Sequence, residues 1–521
     1  MITMDSKEIL QFCIEKGLLL DKDILNLFKE VGDVETAKLV IEKMGQYTQK
    51  KVITKNLFNE NREQVDKIFS SLPSDNQKNV EKLKIKLGLS IEISKEVEIK
   101  EEKVMRLPDF QDVKVISSVP MVRKKIEVGD FVKHFKNRFS SMRNILQEHS
   151  ELSNLVSINK ISESRQGISI LGIVSDKRVT KNGNMLLKVE DLTGTITVLI
   201  NQNKPELFEK AQEIALDSIL GFKCSGSREI VFVNDIIFPE ATLFERKKSP
   251  VEEYALFTGD LHVGSNNFME ENFLGFIDYL NGKVPNTPEV DKIKYLFIIG
   301  DLVAGIGIFP GQERELKILD IEAQFEKVAE LLGKIRKDIQ IIISPGNHDG
   351  VRIMEPQPIL DEKYAWALHN MKNVILTQNP ATINIAAKGV FPGFNVLAYH
   401  GYSFHYYAND IEPLMKEKAA HKPELIMSYL LKNRHLAPTH ASTLYYPHED
   451  DPLLIRQVPD IFVSGHTHKS AVSYYNNILL VSSSSWESMT GFQEKMGNEP
   501  DFCKVPIVNL KTRAVKILDF E

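Results

Sequence analysis

The sequence predicts a multidomain chain that ends in an α/β domain, with a small β-barrel and a helical segment ahead of it. Three observations carry this expectation. At 521 residues the chain exceeds what one hydrophobic core serves, and roughly two to four domains are expected. From Tyr254 onward, apolar β-branched runs alternate with helical stretches such as Phe268 to Leu280 and Ile321 to Lys337. Between 156 and about 243 the pattern is instead one of short strands with a single helical piece among them.

Residues 1–75 read as a small helical N-terminal domain. Ile9, Leu10, Phe12 and Cys13 share one helical face. Ile24, Leu25, Leu27 and Phe28 share a second, behind Asp21 as an N-cap. Ala37, Leu39, Val40 and Ile41 form a third face, and Val65, Ile68 and Phe69 a fourth. No catalytic constellation is present, and a packed bundle and a protein-docking module both fit. Residues 76–128 differ in character: Lys95 to Lys103 is dense in charge of both signs, and Pro108 and Pro120 interrupt the remainder. This stretch reads as a charged, flexible linker.

Residues 129–245 read as a helix followed by a barrel. Phe131, Val132, Phe135, Phe139, Met142, Ile145 and Leu146 recur at helical spacing behind Asp130 as N-cap, with Lys133, Lys136, Arg138 and Arg143 on the solvated sides. Strands are expected at Ile168 to Val174, Met185 to Glu190, Thr195 to Ile200, Ile219 to Cys224 and Ile230 to Ile237, with a helix from Glu206 to Glu213. Five strands with one helix between the third and fourth suit an OB-type barrel. Such barrels often bind single strands through basic grooves and stacking aromatics. Lys177, Arg178, Lys181 and Lys188 would supply charge, and Phe222 and Phe232 rings, although phenylalanines at strand spacing are more often core.

Chemistry concentrates in residues 250–521. Five apolar runs each stop in a turn that carries a metal-ligand residue type. They are Leu256-Phe257-Thr258-Gly259-Asp260-Leu261-His262, Leu296-Phe297-Ile298-Ile299-Gly300-Asp301, Ile341-Ile342-Ile343-Ser344-Pro345-Gly346-Asn347-His348-Asp349, Val396-Leu397-Ala398-Tyr399-His400-Gly401 and Ile461-Phe462-Val463-Ser464-Gly465-His466-Thr467-His468. An unbroken apolar run is a strand buried on both faces, and ligands of open α/β sheets bind at the carboxyl ends of strands. One convergent site is therefore expected. Asp260 and His262 are separated by one residue, as are His466 and His468, so each pair can aim at one cavity. Asp301 has two oxygens with which to bridge two metals, Asn347 a neutral oxygen, and His400 a further imidazole. Borderline divalent cations take imidazole and carboxylate together, and two of them about 3.5–4 Å apart hydrolyse phosphate esters. His405 is a rival ligand to His400, His369, His440 and His448 read as surface residues, and Asp349 reads as a group that orients a neighbour. An insertion between Tyr402 and Pro459 holds a helix from Ile411 and a turn-rich piece, Tyr445 to Pro452.

The ordered set Asp-x-His, Gly-Asp, Gly-Asn-His-Asp, His-Gly and Gly-His-x-His resembles the calcineurin-like metallophosphoesterase superfamily, whose domain is an α/β two-sheet fold. Within it, three features resemble the small subunits of archaeal family-D DNA polymerases. These are the extended second motif from Gly300 to Gly307 with Pro310-Gly311-Gln312, the run Glu355-Pro356-Gln357-Pro358, and the OB-like segment ahead of the phosphoesterase domain. The resemblance implies two divalent metal ions, Mn²⁺ before Fe, Zn or Mg. One would sit on Asp260, His262, Asp301 and His468, the other on Asp301, Asn347, His400 and His466. His348 would lie beside the phosphate as acid or charge clamp. The activity implied is a 3′-to-5′ exonuclease that degrades single-stranded DNA and proofreads, in a heteromeric polymerase whose large catalytic subunit holds the polymerase chemistry. DNA and that large subunit are the implied partners. A phosphatase on the same fold fits less well, because such enzymes place an arginine where this chain has Pro345. A non-catalytic scaffold, as in the eukaryotic relatives, fits less well with a complete ligand set.

Composition sets outer bounds. The net charge of −6 gives no global basic field, so contact with nucleic acid must rely on local patches. Cys13, Cys224 and Cys503 are too widely spaced for a disulfide framework or a zinc knuckle and suit a reducing interior. No apolar run is long enough to span a membrane. Met1 to Lys7 lacks the features of a signal peptide, and a cytoplasmic location is expected.

Overall fold

The computed structural model describes residues 4–31, 34–48, 52–54, 65, 113–117, 125–497 and 499–521. They fall into two compact units, Met1–Met105 and Arg106–Glu521. In the first, helices Met4–Glu15, Lys22–Val31 and Val34–Thr48 bury Ile9, Cys13, Ile24, Phe28, Ala37, Val40 and Ile41 together. Those are residues of the three faces that helical spacing picks out. Two-residue strands β1 (Leu19–Leu20) and β2 (Val52–Ile53) pair in parallel beside them; pieces that short carry no period to read. Of the fourth expected face, Val65 is buried, and Ile68 and Phe69 lie outside the described residues.

In the second unit, strand β3 (Val113–Val115) comes first and corrects the expected linker 76–128 near its end. Val113 and Val115 pack on a core while Lys114 points to solvent. Three alternating residues between prolines and charges are too few to register as a strand. Most of the rest of that linker lies outside the described residues. The next helix, Val128–Gln147, starts two residues before the expected cap. Asp130 sits inside its first turn, where its carboxylate accepts from the Glu127 N–H at 3.0 Å. Phe139, Met142 and Leu146 are buried against Leu171, Ile219, Ile237 and Leu454, whereas Val132 is exposed.

Strands β4 (Gln166–Val179), β5 (Met185–Asp191), β6 (Gly194–Ile200), β7 (Ile219–Gly226) and β8 (Ile230–Ile237) close into a barrel in the order β4-β5-β6-β8-β7. β4 continues through a bulge between Val174 and Asp176, past its expected end. Alternate residues such as Ile196, Val198 and Ile200 fill the interior. Phe222 is among them, while Phe232 faces out with the Arg165 guanidinium 5.8 Å from its ring. Lys177 donates to the carbonyls of Gln212 and Ile214, leaving Arg178, Lys181 and Lys188 as the exposed cations of the expected basic set.

The rest of the unit holds β9 (Tyr254–Thr258), β10 (Ile293–Ile299), β11 (Gln340–Ser344), β12 (Val374–Leu376), β13 (Ala381–Ile385), β14 (Phe394–Ala398), β15 (Ile461–Ser464), β16 (Ala471–Tyr475), β17 (Ile478–Ser482), β18 (Lys504–Asn509) and β19 (Val515–Asp519). They form two six-stranded sheets, β12-β11-β10-β9-β18-β19 and β16-β17-β15-β14-β13-β3. The sheets pack face to face. Phe257, Phe297 and Ile342 of the first share a core with Val396, Val463 and Val481 of the second. Successive residues of one strand serve opposite faces. Leu296 and Ile298 turn to the outer helices Glu270–Leu280 and Ile321–Gly333, while Tyr295, Phe297 and Ile299 turn inward. That is why these strands read as unbroken apolar runs. The outer face of the second sheet is covered by helices of the insertion, Phe404–Asp410 and Pro423–Lys432. The insertion is more helical than the single expected helix from Ile411, because Pro413 and Pro423 sit in first turns, where proline is accommodated.

Two sequence expectations fail at one joint. Arg138, expected in solvent, is buried and donates from Nε to Asp451. His448, expected at the surface, is buried, with its carbonyl 2.7 Å from His134 Nδ1. Helical spacing identifies the side of Val128–Gln147 opposite its apolar stripe; it does not reveal that the insertion covers that side. Burial would raise the pKa of Asp451, but Arg138 and then His435 pull it well below the usual carboxylate range. Its stabilising contribution is thus present above the unfolded pKa of about 3.9 and is lost as pH falls through the folded value. Arg138→Met leaves that carboxylate buried without its guanidinium, with His435 still 2.9 Å away. Denaturant unfolding of the variant at neutral pH is expected to show a loss of about 3–5 kcal/mol, and near wild-type stability would contradict the pairing.

Candidate metal centre

The carboxyl ends of β9, β10 and β11 in one sheet and of β14 and β15 in the other release five loops. The first two remain laddered after their strands end: Asp260 N–H donates to Gly300 O at 2.9 Å, and His262 N–H to Asp301 O at 3.0 Å. Asp260, His262, Asp301, His466 and His468 all take left-handed backbone, with φ of 50°, 50°, 51°, 67° and 53°. Aspartate and histidine are among the non-glycine residues that most often tolerate this region, at a strain of about 1–3 kcal/mol each. Both members of the Asp-x-His pair and of the His-x-His pair adopt it.

All eight residues singled out from the sequence come together. Ligand-type atoms of Asp260, His262 and His468 lie within 4.8 Å of one another, and so do those of Asp301, His400 and His466. His262 Nε2 is 3.1 Å from His468 Nε2, which is 3.5 Å from Asp260 Oδ1. His400 Nε2 is 3.2 Å from Asp301 Oδ2 and 3.0 Å from Asn347 Oδ1. A third group of the same kind, His262, Asp301 and His348, makes His348 a rival ligand. The His405 ring stands 5.2 Å from that of His466, yet His405 joins none of the three groups found among the described residues. A cavity of about 350 Å³, lined by His262, Asp301, His348, His466 and His468 among others, opens onto the cluster.

The electrostatics divide the imidazoles of the cluster, lowering His262 and His466 and raising His400 and His468. Burial holds the pKa of His262 and of His466 well below the usual imidazole range, and neighbouring imidazoles push in the same direction. Both rings are therefore held in the neutral form. Burial would also lower His400, but Asp301 outweighs it and raises that ring to about 10. Burial would raise Asp301, but His400 and His348 pull it well below the carboxylate range. His400 Nδ1 donates to Ile299 O at 2.9 Å, which leaves Nε2 facing the cluster. Asp349, read as an orienting group, accepts from the Gly346 and Val303 N–H groups at 2.7 and 3.1 Å and so clamps two of the loops.

Sequence reasoning missed several supports. Gln493 Nε2 lies 2.9 Å from His468 Nδ1, and Trp486 N–H donates to Asp260 O at 2.9 Å. Neither residue stands in a motif, and only chain folding brings it near. The motif glycines also acquire a reason. A methyl group on Gly346 would fall on Asp301 Oδ1, and one on Gly300 on His400 Nδ1. The cluster closes only because these positions lack a Cβ. Gly346→Ala is expected to displace Asp301 and lower bound divalent metal on elemental analysis, with an overpacking penalty of about 1–3 kcal/mol. Full metal content in a folded variant would show that Gly346 does not shape the centre.

Comparison with known proteins follows the same lines. The calcineurin-like phosphoesterase family model matches residues 255–470. The DNA polymerase II small subunit of Methanothermobacter thermautotrophicus is 35% identical over 398 residues, covering 76% of this chain and 80% of that protein. Its namesake in Pyrococcus abyssi is 37% identical over 406 residues, covering 76% of this chain and 64% of that protein. The one in Thermoplasma acidophilum is 32% identical over 408 residues, covering 77% and 80%. Calcineurin-like phosphoesterase folds imply divalent metals, and the two acid-and-imidazole groups above are candidates to hold them. No helix among the described residues is long and apolar enough to cross a membrane. Identity at this level across most of a relative's length means that the chain belongs to the archaeal DNA polymerase II small-subunit family and carries a phosphoesterase domain.

Proposed function

We propose that this chain carries a two-metal 3′-to-5′ exonuclease that degrades single-stranded DNA and proofreads for a replicative polymerase whose large subunit performs synthesis. The observation that carries the reading is the convergence of two acid-and-imidazole groups that share one cavity wall. Asp260, His262, Asp301 and His468 would hold one ion, and Asp301, Asn347, His400 and His466 the other, with Mn²⁺ before Fe, Zn or Mg. When bound, such ions supply Lewis acidity at phosphorus and lower the pKa of the attacking water. The protein's own part is positioning and proton transfer. Ala304 O is 2.8 Å from His348 Nδ1 and can only accept, so Nδ1 keeps its hydrogen and Nε2 is left to face the phosphate. Water oxygen bonds to phosphorus and releases a proton to solvent as the bond to the 3′ oxygen of the preceding nucleotide breaks. With a proton on Nε2 as well as on Nδ1, His348 gives it to that oxygen or holds charge on the phosphate.

The remaining assignments complete the proposal. Residues 1–75 form a helical domain and 76–128 a linker, apart from β3 and the first turn of the helix at 128. Residues 129–245 form a helix with an OB-type barrel, a reading supported by the strand order and by helix Pro205–Gln212 between β6 and β7. Residues 250–521 form the exonuclease domain, and the complex works in the cytoplasm. A phosphatase is the weaker reading because Pro345 offers no cation to a phosphate monoester.

The direct test offers the Mn²⁺-loaded protein, with and without the large subunit, end-labelled single-stranded DNA and a phosphate monoester. Mononucleotides released from the 3′ end support the proposal; free phosphate alone supports a phosphatase; no turnover in either form supports a scaffold. Asp301→Ala is expected to abolish digestion in a folded protein, since the shared carboxylate serves both ions, and digestion at near the wild-type rate would overturn the two-metal reading. Asn347→Ala is expected to lose metal as well as rate. His348→Ala should keep its metal but slow single-turnover digestion by about 10²- to 10⁴-fold; loss of metal in this variant would make His348 a ligand.

A further inference from the structure

The cavity over the Asp and His cluster is not polar throughout. Ala304, Ile308, Phe309 and Leu316 also line it. Ile308 and Phe309 are each 39% exposed, although they adjoin the centre. They belong to the loop that follows Asp301, and that loop is pinned from beneath. Gln312, which is buried, accepts from the Ile308 N–H at 3.0 Å and donates to Ala304 O at 2.9 Å. Gln324, fully buried, accepts from the Gly305 N–H at 3.0 Å and donates to Ile318 O at 2.8 Å. Two buried amides thus hold an apolar face open to the cavity instead of letting it fold away. An apolar wall facing a few convergent polar groups is the usual composition of a ligand cavity.

Charge and chemistry select the part of a DNA strand that fits there. A wall of isoleucine, phenylalanine and leucine offers a phosphate neither donors nor cations. Glu315, Glu487 and Glu499 line the same cavity and outnumber its one lysine, Lys469, so a second phosphate is not favoured there. The apolar-faced part of a nucleotide is its base, and it lies one sugar away from the phosphodiester. A base can lie on a side chain only when it has left its pair and its stack. We propose that Phe309, with Ile308 beside it and Leu316 behind, seats the unpaired 3′-terminal nucleobase while the scissile phosphodiester rests on the Asp and His cluster. Frayed or mismatched ends are then taken in preference to paired ones. The inference rests on the exonuclease reading of this cavity and names the part of the substrate that the reading leaves unassigned.

The test uses the full chain with its large subunit, loaded with Mn²⁺, and two single strands that differ only in whether the 3′-terminal residue carries a base. Stacking on one aromatic ring corresponds to about 5- to 150-fold. The wild type should therefore digest the abasic end more slowly by a factor in that range in kcat/KM. Phe309→Ala should digest the normal end more slowly by a similar factor and become indifferent to the missing base, with unchanged metal content and melting midpoint. Phe309→Tyr should restore the preference, and Ile308→Ala should weaken it in part. A Phe309→Ala protein that still discriminates as the wild type does overturns the base seat. If the wild type digests neither strand, the exonuclease reading fails, and the seat is judged by binding instead. Thymidine 5′-monophosphate should then bind the Mn²⁺-loaded protein more tightly than deoxyribose 5-phosphate, and Phe309→Ala should lose the difference. Equal affinities in the wild type would overturn the seat, as expected if a protein segment covers that wall.

Discussion

His400 is the hinge of this architecture. It leaves the second sheet, yet both of its ring nitrogens reach residues at the end of a strand in the first: Nδ1 donates to Ile299 O, and Nε2 lies 3.2 Å from Asp301 Oδ2. One imidazole therefore ties the two sheets together at the edge where their strand ends meet. Residues around it are chosen to permit the approach. Gly300 and Gly346 leave room for the ring and the carboxylate, and Gly465 does the same beside Asp260 Oδ2 and Ile299 O. The five left-handed residues complete the convergence by turning the chain out of β9, β10 and β15, the first of them two positions after each of these strands ends. A core packed to near-crystalline density behind them resists relaxation of that strain.

The same principle works at the joint between the helix Val128–Gln147, the barrel and the insertion. Apolar contact through Phe139, Met142 and Leu146 supplies most of the adhesion there. The Arg138–Asp451 pair adds direction more than energy, because a buried ion pair roughly repays its own desolvation. It admits one seating of the helix on the insertion, and that seating determines how the barrel is presented beside the phosphoesterase domain.

In the proposed reading of the centre, metal binding and substrate choice would reside in different residues. The strand-end acids and imidazoles are generic to phosphodiester chemistry and would serve any such bond. The loop from Gly305 to Gln312 sets an apolar surface next to a highly polar one, and under the base-seat proposal this surface would distinguish one substrate from another. Buried glutamines hold that loop, so its order does not depend on the ligand.

The sequence alone determined the two-sheet α/β domain and the acids and imidazoles that meet at its strand ends. Both faces of the central strands are buried, so their sequences are continuous apolar runs, and each run ends where the chemistry begins. The five-stranded barrel was legible for the complementary reason, since alternation marks strands with one buried face. Tertiary structure decided what local spacing cannot encode. Arg138 and His448 are buried because an element some 300 residues away in sequence covers them. Val113–Val115 is a strand because β13 offers it an edge. Gln324, Gln493 and Trp486 support the centre from positions outside every motif. Periodicity reports the face a residue turns away from its own element; only the folded chain shows what lies against that face.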